Sequence, residues 1–227
     1  MLRLINCFKK SEYKNNANKG MSLVELVIVI ALMTVMMSAG ILSLMLLSSA
    51  NAKEAAEKLD SQLNDVKTGA MTRAGEILDL RYIDVDSDSC PYSGKDWQDV
   101  GVEKTGYYAD KYVKKIEHSL DGSESVVTDG PNDHEYTYLG TDSVGILVEY
   151  EDGSLTSPKT APVSIEFDRK SGAMKNYSYD VSTGTKSAKS TIRKIYFFRS
   201  DDETNVDEAR YIIEIVPETG KHTIIDN

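Results

Sequence analysis

A single carboxylate, Glu25, stands at the lip of an uncharged run of 22 residues, Leu26–Leu47. An acidic side chain beside so apolar a stretch is costly in lipid and calls for a partner. One partner is local: Ser22-x-x-Glu25 is the spacing at which a hydroxyl and a carboxylate cap the first turn of a helix reciprocally. A carboxylate there also suits the positive end of the helix dipole. Farther along, Asp84-x-Asp86-x-Asp88 imitates the start of a calcium loop, with oxygen ligands at alternate positions. Ser89 stands where such a loop needs glycine, and Lys95 where it needs a bidentate glutamate, so a solvated acidic strand end is expected and no metal is assigned. Lys186, Lys189, Arg193 and Lys194 run without an acid into Tyr196-Phe197-Phe198, a pattern that can hold single-stranded DNA by charge and stacking; the plainer reading is a charged loop entering a core strand. His118, His134 and His222 share no metal-ligand spacing, and Cys90 has no basic neighbour in sequence to lower its pKa. No nucleophile elbow or phosphate-cradling loop occurs, so neither an enzyme nor a cofactor is expected.

The elements that must position these residues follow from periodicity. A helix crossing hydrocarbon needs about 20 apolar residues, and Leu26–Leu47 supplies them. From Ala52 onward the apolar positions Ala52, Ala56, Leu59, Leu63, Val66, Ala70, Ala74 and Ile77 recur at steps of three and four, while Lys53, Glu54, Glu57, Lys58, Asp60, Asp65 and Lys67 occupy the other face. These patterns predict one long helix from about Ser22 to about Leu78, apolar all round in its first half and amphipathic in its second. The rest alternates with period two and is rich in turns: strands are expected at Leu80–Val85, Gly145–Tyr150, Val163–Asp168, Met174–Tyr179, Thr191–Arg199, Arg210–Val216 and His222–Ile225, with Pro217-Glu218-Thr219-Gly220 as the last turn. Tyr107–Leu120 reads as a short helix or as irregular chain. The fold class is α+β: one long N-terminal helix, membrane half plus amphipathic half, packed on an antiparallel β-sheet globular domain. The domains are a leader at 1–20, a hydrophobic helix at 21–52, its amphipathic continuation at 53–80 and a β-rich head at 81–227.

The segment Lys19-Gly20-Met21-Ser22-Leu23-Val24-Glu25-Leu26-Val27-Ile28-Val29-Ile30 resembles the class III leader of the type IV pilin and pseudopilin superfamily. The resemblance implies that a prepilin peptidase cuts after Gly20 and that the new amino terminus, Met21, is methylated. It also implies that Glu25 acts in filament assembly. The physics runs the same way: a new amine before Met21 can pair with the Glu25 carboxylate of a neighbouring subunit, and a buried pair offsets its desolvation only when both charges are present. Toward the C-terminus, Ile165-Glu166-Phe167-Asp168-x-x-x-Gly172, the strand–Glu218-Thr219-Gly220–strand ending, and the passage Met71–Leu80 are similar to H-type minor pseudopilins. Some pseudopilins bind calcium in a β-loop and some minor pilins serve DNA uptake; neither property carries over to particular residues here.

Residues 1–20 carry Arg3, Lys9, Lys10, Lys14 and Lys19 against Glu12, a net +4, which places the leader in the cytoplasm and the remainder outside. A secretory signal ending at Ala50-Asn51-Ala52 competes, but its apolar region would exceed the ~7–15 residues usual for such signals. The whole chain carries −10, and −14 without the leader, which opposes bulk attraction to nucleic acid or anionic lipid. Only Cys7 and Cys90 are present, so a processed chain has no internal disulfide. The expected function is a structural subunit, minor pilin or pseudopilin, of a type IV pilus-like or type II secretion-like filament. Its expected partners are other subunits, the peptidase, an inner-membrane assembly platform, a cytoplasmic motor and, before assembly, membrane lipid. The alternative is a secreted or membrane-anchored β-rich binding module that does not polymerise.

Overall fold

Ala52, Ala56, Leu59, Leu63, Val66 and Ala70 are all buried, so the stripe drawn by steps of three and four is the face that meets the core. The computed structural model describes residues 22–72, 75–92, 94–118, 124–128, 134–175, 177–180, 185–188, 190–200 and 205–227, with side chains throughout except at 39–45, 114–118, 124–128, 177–180 and 185–188. The stripe belongs to helix α1, Leu23–Thr72. The chain divides into two compact units, residues 1–44 and 45–227, and the division falls within α1.

Among the described residues of the second unit twelve strands follow, all pairing antiparallel: β1 Glu76–Ile83, β2 Gly106–His118, β3 Glu124–Thr128, β4 His134–Gly140, β5 Gly145–Tyr150, β6 Leu155–Thr156, β7 Val163–Glu166, β8 Tyr177–Asp180, β9 Thr185–Ala188, β10 Ile192–Phe198, β11 Tyr211–Val216 and β12 Lys221–Asp226. One sheet runs β3-β2-β1-β7, with β4 also on β2; a second runs β12-β11-β10-β5-β6; β8 and β9 form a separate hairpin. The protein is thus α+β with antiparallel sheets. Both large sheets turn one face to the α1 stripe. Leu78, Leu80, Tyr107, Ala109, Val163 and Ile165 of the first join Ile146, Val148, Ile195, Phe197, Ile213 and Ile215 of the second around Leu59 and Leu63 in one core. Each fully buried Leu or Ile contributes about 1.5–3 kcal/mol, so this face dominates the fold's stability.

Because side chains alternate across a strand, the same strands build a second layer on their far faces. Ile83 and Tyr108 meet Trp97 and Val102 of the segment after β1, and Tyr196 and Phe198 meet Ala209 of the segment before β11. Trp97 opens a 3₁₀ turn, Trp97–Val100, and its Nε1–H donates to the Asp88 carbonyl at 2.7 Å, which seats the ring under the loop.

The structure corrects four boundaries. α1 stops at Thr72 rather than near Leu78 or residue 80, because Gly75 has φ +85°, a backbone no right-handed helix can contain, and Glu76–Leu80 already pairs with β2 and β7. The first strand consequently runs Glu76–Ile83 instead of Leu80–Val85. Met174 makes only an isolated bridge to Phe167, and the next strand is Tyr177–Asp180. Tyr107–Leu120, with no element decided from sequence, supplies β2, which at 13 residues is the longest strand among the described residues.

Candidate functional site

The start of α1 is closed by Ser22 and Glu25. The Ser22 N–H donates to Glu25 Oε2 at 2.9 Å, the Glu25 N–H donates to Ser22 Oγ at 3.2 Å, and the Leu26 N–H donates to the Ser22 carbonyl at 3.1 Å. The reciprocal pair satisfies two of the four N–H groups that a helix start leaves orphaned, which is the local role the Ser-x-x-Glu spacing predicts. Gly20 and Met21 lie outside the described residues.

Beyond the cap the helix surface is bare. Eleven large apolar side chains between Leu23 and Met37 are half or more exposed, Leu23 to 79% and Met36 to 75%. Hydroxyls here are turned back on the helix: Thr34 Oγ1 donates to the Ala31 carbonyl and, just past Met37, Ser38 Oγ donates to the Val35 carbonyl, each at 2.8 Å. These described hydroxyls are therefore satisfied within the helix, as a helix in hydrocarbon or among other helices requires. Among the described residues no helix is long and apolar enough to cross a membrane; the side chains of 39–45, inside the uncharged run Leu26–Leu47, lie outside that set.

No family model, curated protein or solved structure matches the chain.

The remaining sequence candidates take structural positions. Asp84 Oδ1 accepts from the Asp86 N–H and from Thr105 Oγ1, its Oδ2 accepts from Ser87 Oγ, and its own N–H donates to Asp88 Oδ2. The Ser87 hydroxyl and the Asp86 N–H hold the Asp84 carboxyl below the usual carboxylate range. This acidic run thus ties its own turn together, and among the described residues no group of three or more His, Cys, Asp or Glu is placed to hold a metal ion. Cys90 is half-buried in the same loop, where it lines a cleft of about 510 Å³ with Tyr92 and Trp97. In the basic segment, Lys189 and the side chain of Lys186 lie outside the described residues. Arg193 is exposed, and Lys194 Nζ lies 3.9 Å from Glu214. Tyr196, Phe197 and Phe198 are buried, so their rings are spent on packing and offer no face to a base.

Sequence reasoning missed a cluster on the far face of the first sheet. Arg81 Nη2 of β1 lies 3.0 Å from Asp79 Oδ2 and 3.2 Å from Asp110 Oδ2 of β2. Asp110, wholly buried, also faces His134 Nδ1 of β4 at 2.8 Å. The His134 ring stacks between Tyr112 and Tyr136, with Tyr92 edge-on, and the Tyr112 hydroxyl donates to Asp79 Oδ2 at 3.2 Å. Burial pushes the Asp110 carboxyl above the usual carboxylate range against the pull of Arg81 and His134. Burial opposes the Arg81 charge too, yet Asp110 and Asp79 together hold it above the ordinary arginine value. The phenols of Tyr112 and Tyr136 are pushed well up, by burial first and by the neighbouring carboxylates next. The register Leu78↔Lys111, Asp79↔Asp110 places two carboxylates directly opposite each other across β1 and β2, and Arg81 and His134 separate their charges. The signal in the sequence was two charges, Asp79 and Arg81, at alternate positions of a strand whose other positions are Leu78, Leu80 and Tyr82.

Proposed function

We propose that the chain is a structural subunit, a minor pilin or pseudopilin, of a type IV pilus-like or type II secretion-like filament. It is cut after Gly20, N-methylated at Met21, held in the membrane as a single-pass precursor with its head outside, and assembled through its N-terminal helix. The observation that carries this reading is the capped helix start at Ser22–Glu25 running directly into an apolar surface that the chain itself leaves uncovered. A monomer in water does not sustain a contiguous apolar surface of this extent; lipid covers it first and neighbouring helices afterwards. The cap leaves Glu25 exposed at the helix end, where a neighbour's Met21 amine can reach it.

In this reading the assembly platform and the motor act on the helix, while the sheets carry whatever contact distinguishes this subunit from others. The test is mass spectrometry of the N-terminal peptide from sheared filaments and from membranes. A peptide beginning at a methylated Met21 and enriched in filaments is expected. A start at Lys53, or an intact leader in every fraction, refutes the reading in favour of a secreted or anchored module that does not polymerise.

A further inference from the structure

A carbonyl oxygen only accepts hydrogen bonds, and that fixes the chemistry of one buried ring. His222 of β12 has its Nδ1 3.2 Å from the Gly220 carbonyl, so Nδ1 carries a hydrogen whatever the charge of the ring. Its Nε2 lies 3.5 Å from Asp60 Oδ1 of α1, and the His222 side chain is only 3% exposed. Among the described residues Nε2 has no hydrogen-bond partner. On a neutral ring with its hydrogen at Nδ1, Nε2 bears a lone pair facing a carboxylate oxygen that also only accepts. Burial makes such an unpaired acceptor costly. A second proton, on Nε2, turns the same juxtaposition into a charge-assisted contact.

The carboxylate is aimed by its own helix. Asn64 Nδ2 donates to the Asp60 carbonyl at 3.0 Å and to Asp60 Oδ2 at 3.4 Å, which leaves Oδ1 for the ring. Further charged groups at this seam come from both sides. On α1, Glu57 lies one turn before Asp60 and 3.7 Å from Lys53, while Lys67 Nζ donates to the Thr219 carbonyl at 2.9 Å. On the hairpin, Glu218 and Lys221 are exposed, and β11 sets the uncharged Ile215 opposite His222. Lysine keeps its charge throughout the range in which histidine loses its own. One tie between the last hairpin and α1 is therefore constant, and the other depends on a proton.

We propose that His222 and Asp60 form a proton-dependent latch: a doubly protonated ring clasps the β11–β12 hairpin to α1, and loss of the Nε2 proton loosens it. The hairpin supplies Ile213 and Ile215 to the core around Leu59 and Leu63, so the proton governs how firmly the last strands hold the helix stripe. A contact made only by the charged ring favours the folded state on the acid side. The latch is therefore closed at the low end of the histidine range, about pH 5 to 8, and opens as pH rises through it. It does not depend on the filament reading.

The test is thermal unfolding of the full chain in mild detergent, wild type against Asp60→Asn, at about pH 5 and about pH 8. Asparagine at this position has one orientation open: its oxygen accepts from Asn64 and its NH2 turns to the ring. The variant therefore donates to the neutral ring and cannot accept from the charged one. Asp60→Asn should melt about 3 °C or more below wild type at the lower pH, and level with it or above it at the higher. Taking the difference at each pH cancels the titration of groups common to both proteins. The wild-type advantage over His222→Gln should shrink over the same interval. A difference that stays constant, or grows with pH, overturns the proposal. If the variants do not fold, nitrogen NMR of the wild-type His222 ring decides. Both ring nitrogens should carry protons at the lower pH and Nδ1 alone at the higher. A proton on Nε2 alone, or no change across the interval, overturns the latch equally.

Discussion

Replacing Glu25 by glutamine separates two roles that the same carboxylate can play. Glutamine at the third helical position still accepts from the Ser22 N–H, so Glu25→Gln keeps the reciprocal cap and removes only the charge. Ser22→Ala does the reverse. The cap sits in the open, with two ordinary bonds of 2.9 and 3.2 Å, and its loss costs about 1 kcal/mol, a roughly fivefold change in the population of the first turn. If Glu25 instead pairs with a neighbour's Met21 amine inside a filament, Glu25→Gln strands a buried positive charge at a cost of about 3–5 kcal/mol. At about 1.4 kcal/mol per tenfold, that is a loss of two to nearly four powers of ten in assembled subunit. The assay is filament yield after shearing, with the N-terminal peptide checked by mass spectrometry so that failed processing is not mistaken for failed assembly. Loss of filaments with Glu25→Gln and near-normal yield with Ser22→Ala is the expected result. Normal assembly with Glu25→Gln and impairment with Ser22→Ala would reduce Glu25 to a helix cap and refute the pairing argument.

The buried cluster makes two further predictions. Arg81→Met leaves Asp79 and Asp110 facing each other without a cation and should destabilise the head by about 3–5 kcal/mol, read as a drop of roughly 10 °C or more in Tm. Because burial raises the Asp110 carboxyl above its unfolded value, the folded state holds more protons there than the unfolded one, and this group's contribution falls as pH rises through that window. The stability advantage of the wild type over Asp110→Asn should therefore shrink as pH is raised from about 4, in paired thermal melts. Asp84, Asp152 and Asp168, held below the usual range by hydrogen bonds from Ser87, Ser154 and Ser171, act oppositely, and the stability they contribute is lost on acidification. Gly220→Ala should also destabilise, by more than about 1 kcal/mol in a denaturant titration: Gly220 has φ +61°, and a Cβ there would lie 2.2 Å from the Gly172 carbonyl oxygen.

What the sequence made legible was local. The Ser22–Glu25 cap is a contact across three residues, and the Ala52–Ala70 stripe is a single helix face, so both are visible without knowing any partner. Gly145–Tyr150 alternates between flanking turns and forms β5 with those bounds. The failures were of long range. β2 hides because Asp110 and Lys111 interrupt its apolar alternation, and Asp110 is tolerable inside only because Arg81, 29 residues earlier, and His134, 24 later, lie beside it. The stripe overstates the length of α1 because Ile77 continues it by count, whereas pairing of Ile77 with Tyr112 and Glu166 claims that residue for a sheet. Neither competing partner is present in a local window.

The bond from Lys67 Nζ to the Thr219 carbonyl, 2.9 Å across 152 residues of chain, has a consequence in time as well as in space. The α1 stripe emerges from the ribosome early, but the strands that cover it from the second sheet include β10 and β11, which supply Ile195, Phe197, Ile213 and Ile215 near the other end. Closing contacts so far apart in sequence is slow, since the loop entropy comes due before the burial that repays it. During synthesis the core face of the helix therefore waits for strands made much later, and the head is expected to become protease-resistant only once the turn carrying Thr219 and Gly220 seats against Gly172 and the end of α1.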